Sequence, residues 1–127
     1  MWSKKEKMSS IERRAYLRYN VSVSFTLVDQ HGSRFDVVTK DISLGGMRVE
    51  CESALLAKLL PNGIQTAPGD LVIMTAEFKN TKTLETVSIL SHALAVLRLA
   101  ESQFSIRFTF VDVDEVQQDK LQRLLNK

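Results

Sequence analysis

The feature that most constrains the fold is a set of short stretches in which apolar and polar residues alternate. The clearest stretch has an apolar residue at every second position from Phe104 to Phe110. Because successive side chains of a β-strand point to opposite faces, this pattern predicts a strand with one buried face. Alternation and β-branched content together predict six strands. They span residues 21–27, 35–40, 47–51, 71–79, 84–99 and 104–110, the fifth with a kink near Ser91 and His92.

Two helices are predicted beside these strands. Leucines on one side of residues 53–60 indicate a short helix after the third strand. A C-terminal helix begins where Asp112 and Glu115 have the spacing of a capping box. Its apolar side consists of Val113, Val116, Leu121, Leu124 and Leu125. Because the helices do not alternate with the strands, the sequence predicts a mainly β fold, a six-stranded antiparallel barrel, and not a parallel α/β sheet.

The length of 127 residues predicts one domain. Residues 1–11 lack periodicity and are expected to form a flexible N-terminal arm, with the barrel domain in residues 12–127. No apolar run approaches the roughly 20 residues of a membrane-spanning helix, and the basic start is not followed by the apolar segment of a signal peptide. A single cysteine, Cys51, cannot form an internal disulfide, and we therefore expect a cytoplasmic protein.

The residues that could bind a ligand lie in two short motifs. The first holds three arginines, Arg13, Arg14 and Arg18, and the second holds Asp41, Ser43, Gly45 and Gly46. Arginine offers a rigid fork of donors that matches phosphate and the O6/N7 edge of guanine, while a carboxylate accepts from guanine N1 and N2. In a strand, two residues separated by one share a face, so the carboxylate and the hydroxyl would point the same way. The motifs predict a receptor for a planar, phosphorylated ligand.

These two motifs resemble the signature of the PilZ domain family, an RxxxR motif followed some twenty to thirty residues later by [DN]xSxxG. Here the first motif is Arg14-Ala15-Tyr16-Leu17-Arg18 and the second is Asp41-Ile42-Ser43-Leu44-Gly45-Gly46. The resemblance covers the chain from about Glu12 to its end. It implies a bacterial receptor for cyclic di-GMP on a small, split antiparallel barrel.

The resemblance also implies a role for each motif residue. Arg14 and Arg18 would bind phosphate or the Hoogsteen edges of guanine, and Asp41 would accept from a Watson–Crick edge. Ser43 would bind phosphate or base. The two glycines, Gly45 and Gly46, would keep the floor of the site clear.

An arginine directly before RxxxR accompanies, in that family, the binding of an intercalated cyclic di-GMP dimer. Arg13 stands at this position, so two nucleotides per chain are expected. The expected mechanism is an arginine arm that folds onto the barrel when the nucleotide binds and changes the surface offered to a downstream protein, whose identity the sequence does not give. Lys40 and Arg48 flank the second motif, and each could contact phosphate or be an ordinary surface charge.

Two alternatives to this receptor remain. One is a PilZ protein-interaction module without ligand, and the other is a nucleic-acid-binding barrel. The first twenty residues hold six basic and two acidic side chains, but the net charge of only +2 does not indicate a nucleic-acid partner. His31, His92 and Cys51 form no recognisable catalytic or zinc pattern, and no glycine-rich phosphate loop is present. We therefore predict neither an enzyme nor a cofactor or metal site.

Overall fold

A computed structural model describes residues 23–64 and 72–125. Its six strands are β1 (Val23–Val28), β2 (Arg34–Ile42), β3 (Gly46–Glu52), β4 (Ile73–Lys79), β5 (Thr86–Ala100) and β6 (Gln103–Val111). They form a closed antiparallel barrel in the order β1-β2-β3-β6-β5-β4, and the pairing of β1 with β4 completes it. Helix α1 (Ser53–Leu59) follows β3 and helix α2 (Glu115–Leu125) follows β6. The predicted mainly β, six-stranded barrel with two helices is confirmed.

The barrel is held by one apolar core to which every strand contributes. One inward-facing side chain of each strand is fully buried: Leu27, Ile42, Val49, Ala76, Ile89 and Ile106. The rings of Phe25 and Phe78 stack with centroids 4.6 Å apart, and Phe110 packs edge-on against Phe78. The alternation in the sequence therefore separates core residues from surface residues, as predicted.

Helix α1 buries Leu59 against β3 and β6, and α2 buries Leu121 and Leu125 against β5. Gln117 of α2 also donates from its amide to the carbonyl oxygen of Ser88, 2.6 Å away. The buried leucines of both helices thus extend the core of the barrel.

The predicted cap of the C-terminal helix was wrong. Asp114 and Gln117 form the reciprocal bonds of a capping box: the Gln117 N–H donates to Asp114 Oδ1 at 2.7 Å, and the Asp114 N–H donates to Gln117 Oε1 at 2.9 Å. Asp112 instead has a positive φ of 52° and forms the turn out of β6. Val116, assigned to the apolar side, is 61% exposed.

The predicted ranges differ from the observed strands by one or two residues at their ends, and two strands differ in detail. Strand β2 does not end at Lys40 but continues through Ile42. Strand β5 has no irregularity at Ser91 and His92; its register with β6 shifts between Ala93 and Ala95 and again between Arg98 and Ala100. Residues 21–22 of the predicted first strand and residue 71 of the fourth lie outside the described residues.

Cys51 lies on the inner face of β3 and is 6% exposed. Burial raises the pKa of its thiol, which keeps the side chain in its neutral, apolar form. The prediction that it acts as a small buried hydrophobe is confirmed. Among the described helices, neither is long and apolar enough to cross a membrane.

Gly46 begins β3 where that strand pairs with β6. Its Cα faces the backbone of the neighbouring strand so closely that an added Cβ would overlap the carbonyl oxygen of Phe108 and press on the Cα of Thr109. These are backbone atoms in the middle of a paired strand and cannot rotate away. The pairing of β3 with β6 therefore requires glycine at this position.

We expect Gly46→Ala to lower the free energy of unfolding by about 1–3 kcal/mol, since the strands must separate to admit the methyl group. Urea unfolding followed by circular dichroism measures the change. Ser24→Ala is the control, because it changes a small, exposed side chain of β1, away from the β3–β6 contact. A Gly46→Ala protein as stable as the wild type would contradict this account of the β3–β6 contact.

Candidate ligand-binding cleft

A cleft of about 530 Å³ lies on the outer face of the barrel, where the β2–β3 turn meets β3 and β6. Four residues of the second sequence motif line it: Asp41, Ser43, Gly45 and Gly46. Arg48, Leu94, Arg107 and Thr109 line it as well. The structure thus brings a carboxylate, a hydroxyl, two guanidiniums and an apolar side chain to one opening.

Asp41 reaches the cleft because β2 contains one extra residue. Thr39 pairs with Val49, but Asp41 pairs with Arg48, so the register shifts by one residue at Lys40. Val37 and Thr39 face the core, and strict alternation would turn Asp41 inward as well. The bulge gives the inward position to Ile42, which is 0% exposed, and turns Asp41 outward. Asp41 and Ser43 both line the cleft, but Ser43 lies in the turn after β2 and not in a strand with Asp41 as predicted.

The turn after β2 forms a fixed floor for the cleft. The N–H of Ser43 donates to the carbonyl oxygen of Gly46 at 2.9 Å, and the N–H of Gly45 donates to Ser43 Oγ at 3.1 Å. Two groups of β6, the Phe110 N–H at 3.0 Å and the Thr109 hydroxyl at 3.3 Å, donate to the carbonyl oxygen of Gly45. These bonds tie the turn to the neighbouring strand.

The hydroxyl proton of Ser43 is held only weakly. Its acceptor in the described structure is the carbonyl oxygen of Gly46 at 3.5 Å, at the outer limit of a hydrogen bond. The oxygen of the same hydroxyl accepts from Gly45 at 3.1 Å. Ser43 can therefore keep its role in the turn and still donate to an anion or a base oxygen in the cleft.

An ion pair joins the carboxylate to the nearest arginine. Arg48 Nη2 lies 3.3 Å from Asp41 Oδ2, with 12% of the Asp41 side chain and 41% of the Arg48 side chain exposed. Arg48 Nε is buried without a hydrogen-bond partner among the described residues. The guanidinium of Arg48 thus retains donor capacity beyond the ion pair. Lys40, the other flanking cation, is exposed at the bulge and does not line the cleft.

Leu94 supplies the apolar part of the cleft. It is the extra residue at the first register shift between β5 and β6, and it is 42% exposed at the cleft wall. Bulges are common beside binding sites, where they re-aim a side chain. An exposed leucine beside two guanidiniums offers a surface on which a flat ring can pack.

The three predicted arginines, Arg13, Arg14 and Arg18, lie outside the described residues, as does the predicted arm of residues 1–11. Their meeting with Asp41 at one cleft stays a prediction.

The sequence did not single out Arg107, Leu94 or Thr109. The one signal available for Arg107 and Thr109 was their outward position on the most clearly alternating strand. The position of Leu94 depends on a bulge, which the sequence does not show. No cluster of three potential metal ligands occurs among residues 23–64 and 72–125.

The model of the PilZ domain family matches residues 12–127 of this chain. The sequence matches no curated protein. The chain is similar to the PilZ domain of YcgR from Escherichia coli, which was solved with c-di-GMP, with a TM-score of 0.57 and 18% sequence identity. The alignment covers 89% of this chain and 88% of the YcgR domain.

Two further solved structures share the fold. MotI/DgrA, an inhibitor of motility from Bacillus subtilis, has a TM-score of 0.58 and 13% sequence identity. The alignment covers 91% of this chain and 52% of MotI/DgrA. PlzA from Borreliella burgdorferi, solved in complex with c-di-GMP, has a TM-score of 0.56 and 12% sequence identity. The alignment covers 94% of this chain and 46% of PlzA. The chain therefore spans only about half the length of these two proteins.

We expect Ser43→Ala to destabilise the barrel by about 1 kcal/mol, because the Gly45 N–H loses its side-chain acceptor. The change is measured by urea unfolding. Ser24→Ala is the matched control, since Ser24 is an exposed strand serine that does not line the cleft. Equal stability of the two variants would indicate that the Ser43 hydroxyl does not hold the turn.

Proposed function

This chain belongs to the PilZ domain family, and from that premise we propose that it is a receptor for cyclic di-GMP and not an enzyme. The observation that supports this most directly is the convergence of Asp41, Ser43 and Arg48 on one cleft outside a closed barrel. A carboxylate accepts from guanine N1 and N2, and a guanidinium binds phosphate. The family relatives solved with c-di-GMP, YcgR and PlzA, share this fold and favour the same ligand class.

In the proposed complex, Asp41 accepts hydrogen bonds from the Watson–Crick edge of one guanine. Ser43 donates its weakly held hydroxyl proton to a phosphate or base oxygen. Gly45 and Gly46 leave the backbone of the turn open toward the ligand. The base then packs over Leu94, whose exposed side chain is at the same cleft.

The N-terminal arginines complete the proposal. Arg14 and Arg18 bind phosphate or the Hoogsteen edges, and Arg13 contacts a second, intercalated nucleotide. Binding orders the arm against the barrel, and the ordered surface is what a downstream protein recognises. The nucleotide thereby acts as a switch for that partner.

One titration series tests the ligand class. Calorimetry of the full chain with cyclic di-GMP, linear GpG, GTP and single-stranded RNA separates the receptor from its two alternatives. We expect heat with cyclic di-GMP, and much weaker binding of the others. Tight RNA binding with a steep salt dependence would identify a nucleic-acid-binding barrel. No binding of any of the four would favour an interaction module without ligand.

We expect Asp41→Asn to weaken cyclic di-GMP binding about tenfold to a hundredfold, because a hydrogen bond to a charged group contributes roughly 1.5–3 kcal/mol. The dissociation constant is measured by calorimetry. Asp36→Asn serves as the control, since Asp36 lies on the same strand, is exposed and does not line the cleft. Similar affinities for both variants would remove Asp41 from the site.

The arginine arm has its own test. Arg14→Ala and Arg18→Ala should each weaken binding about tenfold to a hundredfold while the barrel stays folded. Arg13→Ala should lower the stoichiometry from two nucleotides per chain toward one, which calorimetry measures directly. Lys5→Ala, another cation of the N-terminal segment, controls for loss of charge alone. A wild-type titration that saturates at one nucleotide would refute the dimer.

A further inference from the structure

Arg107 and Arg48 are directly opposite each other on neighbouring strands. The register of β3 and β6 pairs Arg48 with Arg107, and both side chains line the cleft. Opposite residues of an antiparallel pair have Cβ atoms about 4.5–5.5 Å apart, and like charges there are destabilising. An anion bound between the two side chains would remove this repulsion.

The described residues compensate only half of this charge. Arg48 pairs with Asp41, but no carboxylate of the described structure pairs with Arg107. Arg48 also keeps a buried Nε without a partner among those residues. The Arg107 guanidinium thus keeps its positive charge available for an anion such as a phosphodiester. The guanidinium fork matches the phosphate oxygens.

We infer that Arg48 and Arg107 form a cross-strand clamp for one phosphodiester of the ligand, separate from the two sequence motifs. The identity of the ligand rests on the proposed function, whereas the anion site rests on the strand register and on the lack of an ion pair of Arg107 among the described residues. Arg107 is thereby a binding residue that no sequence motif contains. Its position on β6 gives the clamp a rigid base, because that strand is paired with β3 on one side and with β5 on the other.

The clamp predicts opposite effects of one substitution on the free and the bound protein. Arg107→Gln should leave the melting temperature of the free protein unchanged or raise it, because a like-charge neighbour is removed. The same variant should bind cyclic di-GMP at least about tenfold more weakly and gain less melting temperature from it. Arg107→Lys, which keeps the charge but loses the fork, should lie between. A residue with only a structural role would lower the melting temperature of the free protein.

The control arginine is Arg34, a strand residue that pairs with Glu77 at 2.6 Å and does not line the cleft. Arg34→Gln should leave nucleotide affinity unchanged. Nitrogen-15 spectra of the arginine Nε–H groups give a second readout, with Arg48→Gln and Arg107→Gln used for assignment. Both clamp signals should shift with cyclic di-GMP and with inorganic pyrophosphate, while the Arg34 signal stays in place.

The two probes distinguish the failure of this inference from the failure of the proposed function. If pyrophosphate shifts the clamp signals but cyclic di-GMP does not bind, the clamp stands and the receptor proposal falls. If cyclic di-GMP binds equally to the wild type and Arg107→Gln with no shift at Arg107, the clamp is overturned and the receptor stands. If neither probe moves the clamp signals, the clamp is overturned.

Discussion

The interior of a closed six-stranded barrel has no place for an unpaired charge, and this constraint governs where the candidate site lies. Side chains alternate between core and surface along every strand, so a shift of one residue moves a side chain from one environment to the other. The second motif places a carboxylate and an isoleucine next to each other, Asp41 and Ile42, at the end of β2. The bulge at Lys40 shifts the alternation by one residue, so that Ile42 is fully buried and Asp41 faces the cleft. The core and the candidate site thus depend on the same bulge.

The turn that follows serves the fold and the cleft together. Its serine hydroxyl accepts from Gly45, and the carbonyl oxygen of Gly45 is held by two donors of β6. Gly46 has no room for a side chain because Phe108 of β6 approaches it closely. From the sequence, both glycines are expected to keep the floor clear for a ligand. At position 46, the close contact between β3 and β6 is a second reason for glycine. A motif of this kind would be needed in the barrel even before a ligand is considered.

The sequence predicted the barrel well because alternation is local, and each strand reports its own buried face. It also predicted a shared location of Asp41 and Ser43, but on one strand, whereas Ser43 lies in the turn after β2. Arg107 and Leu94 were missed because their place at the cleft depends on which residues lie opposite each other across β3, β6 and β5, and single-strand patterns do not contain that register. The cap at Asp112 was wrong for a related reason: Asp112 and Asp114 offer the same cap chemistry, and the left-handed turn that decides between them is set by how the chain leaves β6.

The interactions at the cleft differ in strength in a way that suits a receptor. Its floor is bound by backbone hydrogen bonds within a closed sheet and rests on a largely apolar core, so moving it would disturb the whole barrel. The Asp41–Arg48 pair opens to solvent mainly on the arginine side, since 41% of the Arg48 side chain is exposed but only 12% of the Asp41 side chain. An arriving anion can therefore bind the donors of Arg48 that the ion pair does not use, while Asp41 keeps its arginine partner. A rigid backbone with partly exposed guanidinium donors lets the cleft select a ligand by shape and bind its anion without moving the barrel.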